Sequence, residues 1–152
     1  MNGKLEIIEV INRYFAALDK RTFDLETLRK IFADNATVVR PNGTSLTGPE
    51  AIRSSHTKSL ERFRATQHLT SGFIIDLADE SKADFRVNLI ALHFWKEGFG
   101  DSSINKEENY FLAGGVVSGN STKTSDGWHI SKIRNDVIWR QGVGFQEMIN
   151  TK

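Results

Sequence analysis

The residues of this sequence whose type and setting could move a proton are its histidines, His56, His68, His93 and His129, and the acid Asp19. Asp19 closes a helical run, where the negative end of the macrodipole disfavours an anion, so its carboxylate needs a nearby cation or proton donor. Lys20 or Arg21 could supply it; the other reading is a solvated acid at a frayed helix end. His68 lies in Thr66-Gln67-His68-Leu69-Thr70. Strict alternation puts Gln67, Leu69, Ser71, Phe73 and Ile75 on one face, and Thr66, His68, Thr70, Gly72 and Ile74 on the other. If the second face is concave, His68 points into a cavity with room beside it at Gly72; otherwise it is a hydrogen-bonded core residue or faces water. His93 shares a face with Val87, Leu89, Ala91 and Trp95 and reads as a packed core histidine. His129, beside Trp128 near a turn, reads as exposed.

Other chemistries lack their residues. There is no cysteine, which excludes a disulfide framework, a thiolate zinc site and a cysteine nucleophile. The histidines show no HExxH or i,i+4 pairing, so no metal is expected. Gly142-Val143-Gly144 is followed by Phe145-Gln146-Glu147 at a strand end rather than by a phosphate-cradling helix start, and no nucleotide cofactor is expected. Ser118 has Val116 where a nucleophile elbow needs glycine. Arg53, Lys58, Arg62 and Arg64 are interleaved with Glu50 and Glu61, and 20 basic against 19 acidic residues leave a net charge of +1. Neither feature suits nucleic acid or an anionic membrane. The opening MNGKLEIIEV has no secretory-signal pattern and no window nears about 18 apolar residues, so a cytoplasmic protein is expected.

The 152 residues fit a single domain, and two prolines leave no room for a stiff linker. Apolar residues at Leu5, Ile8, Ile11, Phe15 and Leu18, flanked by Ile7 and Tyr14, predict an amphipathic helix. Asp24 caps a second helix with the face Leu25, Leu28, Ile31 and Phe32, ending near Asp34-Asn35. The β-branched run from Ala36 to Pro41, Asn42-Gly43 and Thr44-Ser45-Leu46 predict a short hairpin. Thr47-Gly48-Pro49-Glu50 starts a third helix with Ile52, His56, Leu60 and Phe63 on one face. Four long strands follow, Thr66–Leu77, Ala83–Trp95, Glu108–Lys123 and Trp128–Arg140, as an antiparallel meander. Strands this long must bend, and Gly72 and Gly114-Gly115 are the natural places. The architecture is α+β: three helices closing the concave side of a strongly curved sheet, with a dead-end cavity between.

The order of short motifs carries a family resemblance. Arg13-Tyr14-Phe15-Ala16-Ala17-Leu18-Asp19, Phe23-Asp24, Leu28 with Phe32-Ala33-Asp34-Asn35-Ala36, and Thr47-Gly48-Pro49-Glu50-Ala51-Ile52 are followed by Thr66-Gln67-His68-Leu69-Thr70-Ser71-Gly72 and Asp126-Gly127-Trp128-His129-Ile130. Together they resemble the SnoaL-like branch of the NTF2-like superfamily over nearly the whole chain. The resemblance implies a cone-shaped α+β fold with a deep apolar pocket, and a homodimer formed through the outer sheet face. Scytalone dehydratase, bile-acid dehydratase and hexachlorocyclohexane dehydrochlorinase use an Asp–His pair, and Asp19 and His68 match its places. Where scytalone dehydratase has two carbonyl-polarising tyrosines, Leu18 and Val38-Val39-Arg40 stand here.

What the resemblance implies is a cofactor-independent lyase (dehydratase-like) or isomerase acting on a small apolar cyclic or carbonyl-bearing molecule. A carboxylate that accepts one imidazole N–H fixes the tautomer and leaves the other nitrogen as the base. Tyr14, Tyr110, Asn88 and His93 are the candidates to stabilise developing negative charge, and Tyr14, Phe15, Phe32, Trp95 and Trp139 to shape the pocket. The alternative is a non-catalytic ligand-binding or dimerisation domain, including one like the small subunit of ring-hydroxylating dioxygenases.

Overall fold

A computed structural model describes residues 3–146. The elements run α1 (Gly3–Lys20), α2 (Leu25–Ile31), β1 (Phe32–Val39), β2 (Ser45–Thr47), α3 (Pro49–Leu60), β3 (Phe63–Leu77), β4 (Lys82–Trp95), β5 (Tyr110–Thr124) and β6 (Gly127–Gly142). The six strands form one curved, unclosed sheet in the order β2-β1-β6-β5-β4-β3. Every neighbouring pair is antiparallel except β1 with β6, which are parallel. The α+β architecture read from the sequence is the one observed.

The helices pack as their periodicity dictates, with two adjustments. In α1, Ile7, Ile11, Tyr14 and Leu18 are buried, whereas Leu5 is 57% exposed. At roughly 100° per residue Leu5 lies about 160° round the helix from Ile7, off the apolar stripe. The second adjustment is at α2, which stops at Ile31 rather than at Asp34-Asn35. Phe32 adopts φ −107°, ψ 142° and pairs with Ile130 of β6, because burying its ring against the sheet outweighs one more helical residue. The cap at Asp24 forms as read, with its carboxylate accepting the Thr27 N–H at 2.8 Å. Pro49 opens α3 at its first turn.

The long strands bend by bulges, and each bulge exchanges the two faces of its strand. In β3 the register with β4 shifts between Ser71 and Ile74, around Gly72 at φ +67°. Leu69 is 48% exposed and Ile74 54%, while Ile75 is 6% exposed. The single alternation predicted for Thr66–Ile75 therefore holds only up to Ser71, and beyond it Ile74 points out and Ile75 in. In β6 the register with β5 shifts at Gly114/Gly115, with Ile138 as the extra residue. Trp139 then lies on the outer face over Gly114, where a Cβ would collide with the indole. His129, read as exposed, is 8% exposed, its ring folded back over the β5–β6 turn with Nδ1 3.1 Å from Gly127 O. No helix among the described residues is long and apolar enough to cross a membrane.

A side chain at Gly72 must sit in the left-handed region and displace Asn88, whose Nδ2 lies 2.7 Å from where the Cβ would stand. Gly72→Val is expected to cost about 1–3 kcal/mol in urea unfolding. A loss indistinguishable from zero would mean that the bulge moves along the strand without penalty.

Candidate active site

The helix α1 ends in an arrangement that helix propensity does not favour. Asp19 lies in the last turn, and Arg21 follows with φ 61°. The conflict is resolved by β3, the edge strand of the sheet, whose outer N–H groups have no strand to bond. Asp19 Oδ2 accepts the backbone N–H of His68 at 2.9 Å. Oδ1 accepts the Thr66 hydroxyl at 2.9 Å and lies 2.6 Å from His68 Nδ1. Of the two cations proposed to compensate Asp19, Arg21 is the one in place. Its Nη1 donates to Leu18 O at 2.6 Å and to Thr66 Oγ1 at 2.9 Å, so Thr66 links the guanidinium to the carboxylate.

These contacts favour the ionised form of Asp19. Partial burial raises the Asp19 carboxyl's pKa, but the His68 ring, the His68 N–H and the Thr66 hydroxyl outweigh it and hold the group below the usual carboxylate range. An ionised carboxylate only accepts, so His68 Nδ1–H donates, and Nε2 is the nitrogen left to bear a lone pair in the neutral tautomer. The His68 side chain is 7% exposed, stacked on Phe15 at 5.5 Å and 19° and edge-on to His93 at 6.0 Å.

His68 is in the wall of a cavity of about 170 Å³. A void of about 150 Å³ accepts benzene, so there is room for one substituted ring. Phe15, Leu18, Leu60, Leu89, Ala91 and Val117 supply much of its apolar lining. Tyr14 and His93 also line it, as read from the sequence. The other expected lining residues do not. Asn88 is exposed on the outer face of β4, where it pairs with Ser71 and Val116. Tyr110 packs on Phe94 at 5.3 Å outside the cavity, and Trp139 is turned outward by the Ile138 bulge. Trp95 and Phe32 are buried in the core rather than at the cavity, Trp95 donating Nε1–H to Val143 O at 2.9 Å. Sequence reasoning missed His56, Asn135, Arg40 and Arg140, all lining residues. Two of them had a signal: His56 was already on the inward face of α3, and Asn135 breaks the apolar alternation Ile133–Val137.

The polar groups of the cavity are unusually placed. Tyr14 Oη and His56 Nε2 lie 2.6 Å apart, both buried. Burial pushes the Tyr14 phenol up, and burial, with Arg40 and His68 adding to it, pushes His56 down to about 4. His93, stacked on Phe111 at 4.2 Å, is pushed down to about 3 by burial and by His68. Two buried polar atoms, His93 Nδ1 and Asn135 Oδ1, have no hydrogen-bond partner among the described residues. Each such orphan costs about 1–3 kcal/mol, which a guest's polar groups would recover. Among the described residues no three histidines, aspartates or glutamates are clustered as metal ligands.

With this geometry in view, the chain's relatives can be placed. The family model for the SnoaL-like domain matches residues 2–134, and the chain belongs to that family. No curated protein matches the sequence. Among solved structures, the Kfla4162 protein of Kribbella flavida is similar at 21% identity, covering 97% of this chain and 96% of that one with a TM-score of 0.81. The hexachlorocyclohexane dehydrochlorinase LinA-type3 of Novosphingobium barchaimii is similar at 16% identity over 90% of this chain and 86% of its own, TM-score 0.75. A candidate scytalone dehydratase of Novosphingobium aromaticivorans is similar at 21% identity over 91% and 86%, TM-score 0.73. Likeness at this level of identity establishes a shared NTF2-like fold, in a neighbourhood that includes lyase-type enzymes.

The two depressed histidines set the acid limit of the fold. Their folded-state pKa values, about 4 for His56 and about 3 for His93, lie below the ordinary 6.5, so between these limits the unfolded chain binds more protons. Their contribution is complete above pH 6.5 and is lost as pH falls towards 4 and then 3. Asp19, whose pKa is also lowered, adds a further loss at the acid end. Denaturation measured from pH 8 to pH 4 is expected to show stability falling below pH 6.5, with a slope approaching about 1.4 kcal/mol per pH unit for each histidine. His56→Phe should flatten part of that slope, and an unchanged slope would mean that His56 is protonated in the folded protein.

Proposed function

We propose that this protein is a cofactor-independent lyase of the dehydratase type, or an isomerase, acting in the cytoplasm on a small, mostly apolar, cyclic or carbonyl-bearing molecule. The observation that supports it most directly is the 2.6 Å Asp19–His68 contact at the wall of a cavity with room for one ring. His68 Nε2 is the general base, and Asp19 is the positioning residue that holds its tautomer and balances the imidazolium. His68 takes a proton next to a carbonyl or a leaving group, and the C–H electron pair becomes the new double bond. In a dehydration the C–O bond then breaks, and the proton held on Nε2 goes to the departing oxygen, which leaves as water. In an isomerisation the same proton returns at another carbon. Tyr14 and His93 face the cavity and are the candidates to donate to the developing oxyanion.

The chemistry can be tested on model compounds in place of the natural substrate. A panel of one-ring ketones and hydroxyketones in D2O, followed by NMR, is expected to show α-proton exchange or loss of water in the presence of the protein. Asp19→Asn, which keeps an oxygen for the His68 N–H, is expected to fold and to lower that rate by about 10²–10⁴-fold, as is His68→Gln. The ¹⁵N shifts of the His68 ring in Asp19→Asn should report a changed tautomer. Equal rates in wild type and Asp19→Asn would remove the dyad from the mechanism.

A second reading, a ligand-binding or assembly domain without chemistry, draws on the outer sheet face. Leu69, Ile90 and Trp139 stand in one row across β3, β4 and β6 through Gly114, each more than two-fifths exposed, with Ile138 beside them at 70%. Such a patch on a soluble domain marks an interaction surface, and we assign it to a homodimer. Sedimentation is expected to show a dimer that Ile90→Glu converts to monomer; a monomeric wild type would sink that assignment while leaving the chemistry intact.

A further inference from the structure

The charged groups that line the cavity are all of one sign. Among the described residues, Arg40 and Arg140 line the cavity and no aspartate or glutamate does. Asp19 stands behind His68, outside that lining.

Arg40 comes where β1 gives way to the turn before β2. Its Nε donates to Thr44 Oγ1 and its Nη1 to Ser55 Oγ, both at 2.9 Å. Thr44 is itself fixed, its N–H and hydroxyl donating to Asn42 Oδ1 at 3.0 and 2.7 Å. Two neutral hydroxyls thus aim the guanidinium and leave the rest of its five N–H donors without a side-chain partner among the described residues. Its charge is felt inside the cavity, since it helps to push His56 down. Arg140 owes its place to the Ile138 bulge, which turns Trp139 out and Arg140 in. Its guanidinium lies 5.8 Å from the centre of the Phe145 ring. Neither arginine forms an ion pair among the described residues, whereas Arg13 and Arg134 do. A guanidinium that has no carboxylate partner and stands beside an apolar wall is a ready partner for a bound anion.

We propose that the cavity takes a one-ring, mostly apolar molecule bearing a carboxylate, which pairs with Arg40 while the ring reaches His68 and Arg140 adds a second cation. This deepens the reading of the cavity as a small-molecule site and rests on it. A carboxylate fits for two reasons: the guanidinium fork matches its planar pair of oxygens, and it adds little volume to a ring that already occupies most of 170 Å³.

Benzoate and benzamide, nearly identical in shape and different in charge, separate the terms. In calorimetric and ¹H–¹⁵N NMR titrations at low salt, benzoate is expected to bind wild type about tenfold tighter than benzamide or better, as a charge-assisted pair implies. The preference should shrink as salt is added. Arg40→Gln is expected to abolish it while benzamide affinity stays within twofold; Arg40→Lys, which keeps the charge and loses the fork, should retain part of it. Equal binding of the two probes to wild type, or a preference that survives in Arg40→Gln, would overturn the carboxylate assignment alone, with the cavity still a ligand site. If neither probe binds or moves the resonances of His68 and Ala91, the small-molecule reading of the cavity fails and this inference with it.

Discussion

The structure turns on one carboxylate held between the end of a helix and the edge of a sheet. At the C-terminal turn of α1 the macrodipole costs an anion about 0.3–1 kcal/mol. The edge strand β3 offers in return a backbone N–H, a hydroxyl and an imidazole N–H, and each hydrogen bond to a charged group contributes about 1.5–3 kcal/mol. The tertiary term wins, and it ties α1 to β3 at the point where His68 enters the cavity. Thr70, whose hydroxyl donates to Asn12 Oδ1 at 2.7 Å, adds a second tie further back along the helix. Anchoring the helix and orienting the ring are therefore one set of contacts, which is why a structural and a chemical account of Asp19 do not compete.

Curvature is the second constraint, and it decides which side chains the cavity receives. Strands of 14 to 16 residues cannot stay flat, and the sheet relieves its twist by extra residues in β3 and β6. A bulge moves every later side chain to the opposite face. That single operation buries Ile75 instead of Ile74, carries Trp139 out of the cavity and brings Arg140 into it.

What the sequence makes legible follows from that. Local pattern sets the element order, the cap at Asp24, the proline start of α3 and the glycines at the bends, because each depends on a residue and its near neighbours. Alternation fails one residue past a bulge, since the shift is fixed by pairing with another strand; hence it puts Ile74, not Ile75, on the His68 face. The helical period takes in Phe32 because its strand partner Ile130 lies about a hundred positions away. Asp19 and His68 are findable because both sit against the grain of their surroundings, an acid at a helix end and an imidazole on a half-polar strand face. Asn135 sits against the grain too, a lone amide between Ile133 and Val137. Asn88, Tyr110 and Trp95 are singled out by residue type alone, and type does not tell the outer face, or the packed end of the core, from the cavity.

The cavity separates its three histidines by environment. His56 and His93 are buried without a carboxylate, so desolvation keeps both rings neutral and able to act only as hydrogen-bonding groups at ordinary pH. His68 alone has an ionised acid at one nitrogen, so a proton arriving at its other nitrogen creates a cation with its counter-charge already in place 2.6 Å away. Pairs of like groups whose surroundings push them apart are the way a folded chain assigns different proton roles to the same side chain. Here all three histidines line one cavity. Arg40 and Arg140 line the same space, so the cavity wall carries an imidazole backed by a carboxylate, two guanidinium groups and an apolar surface shared between them.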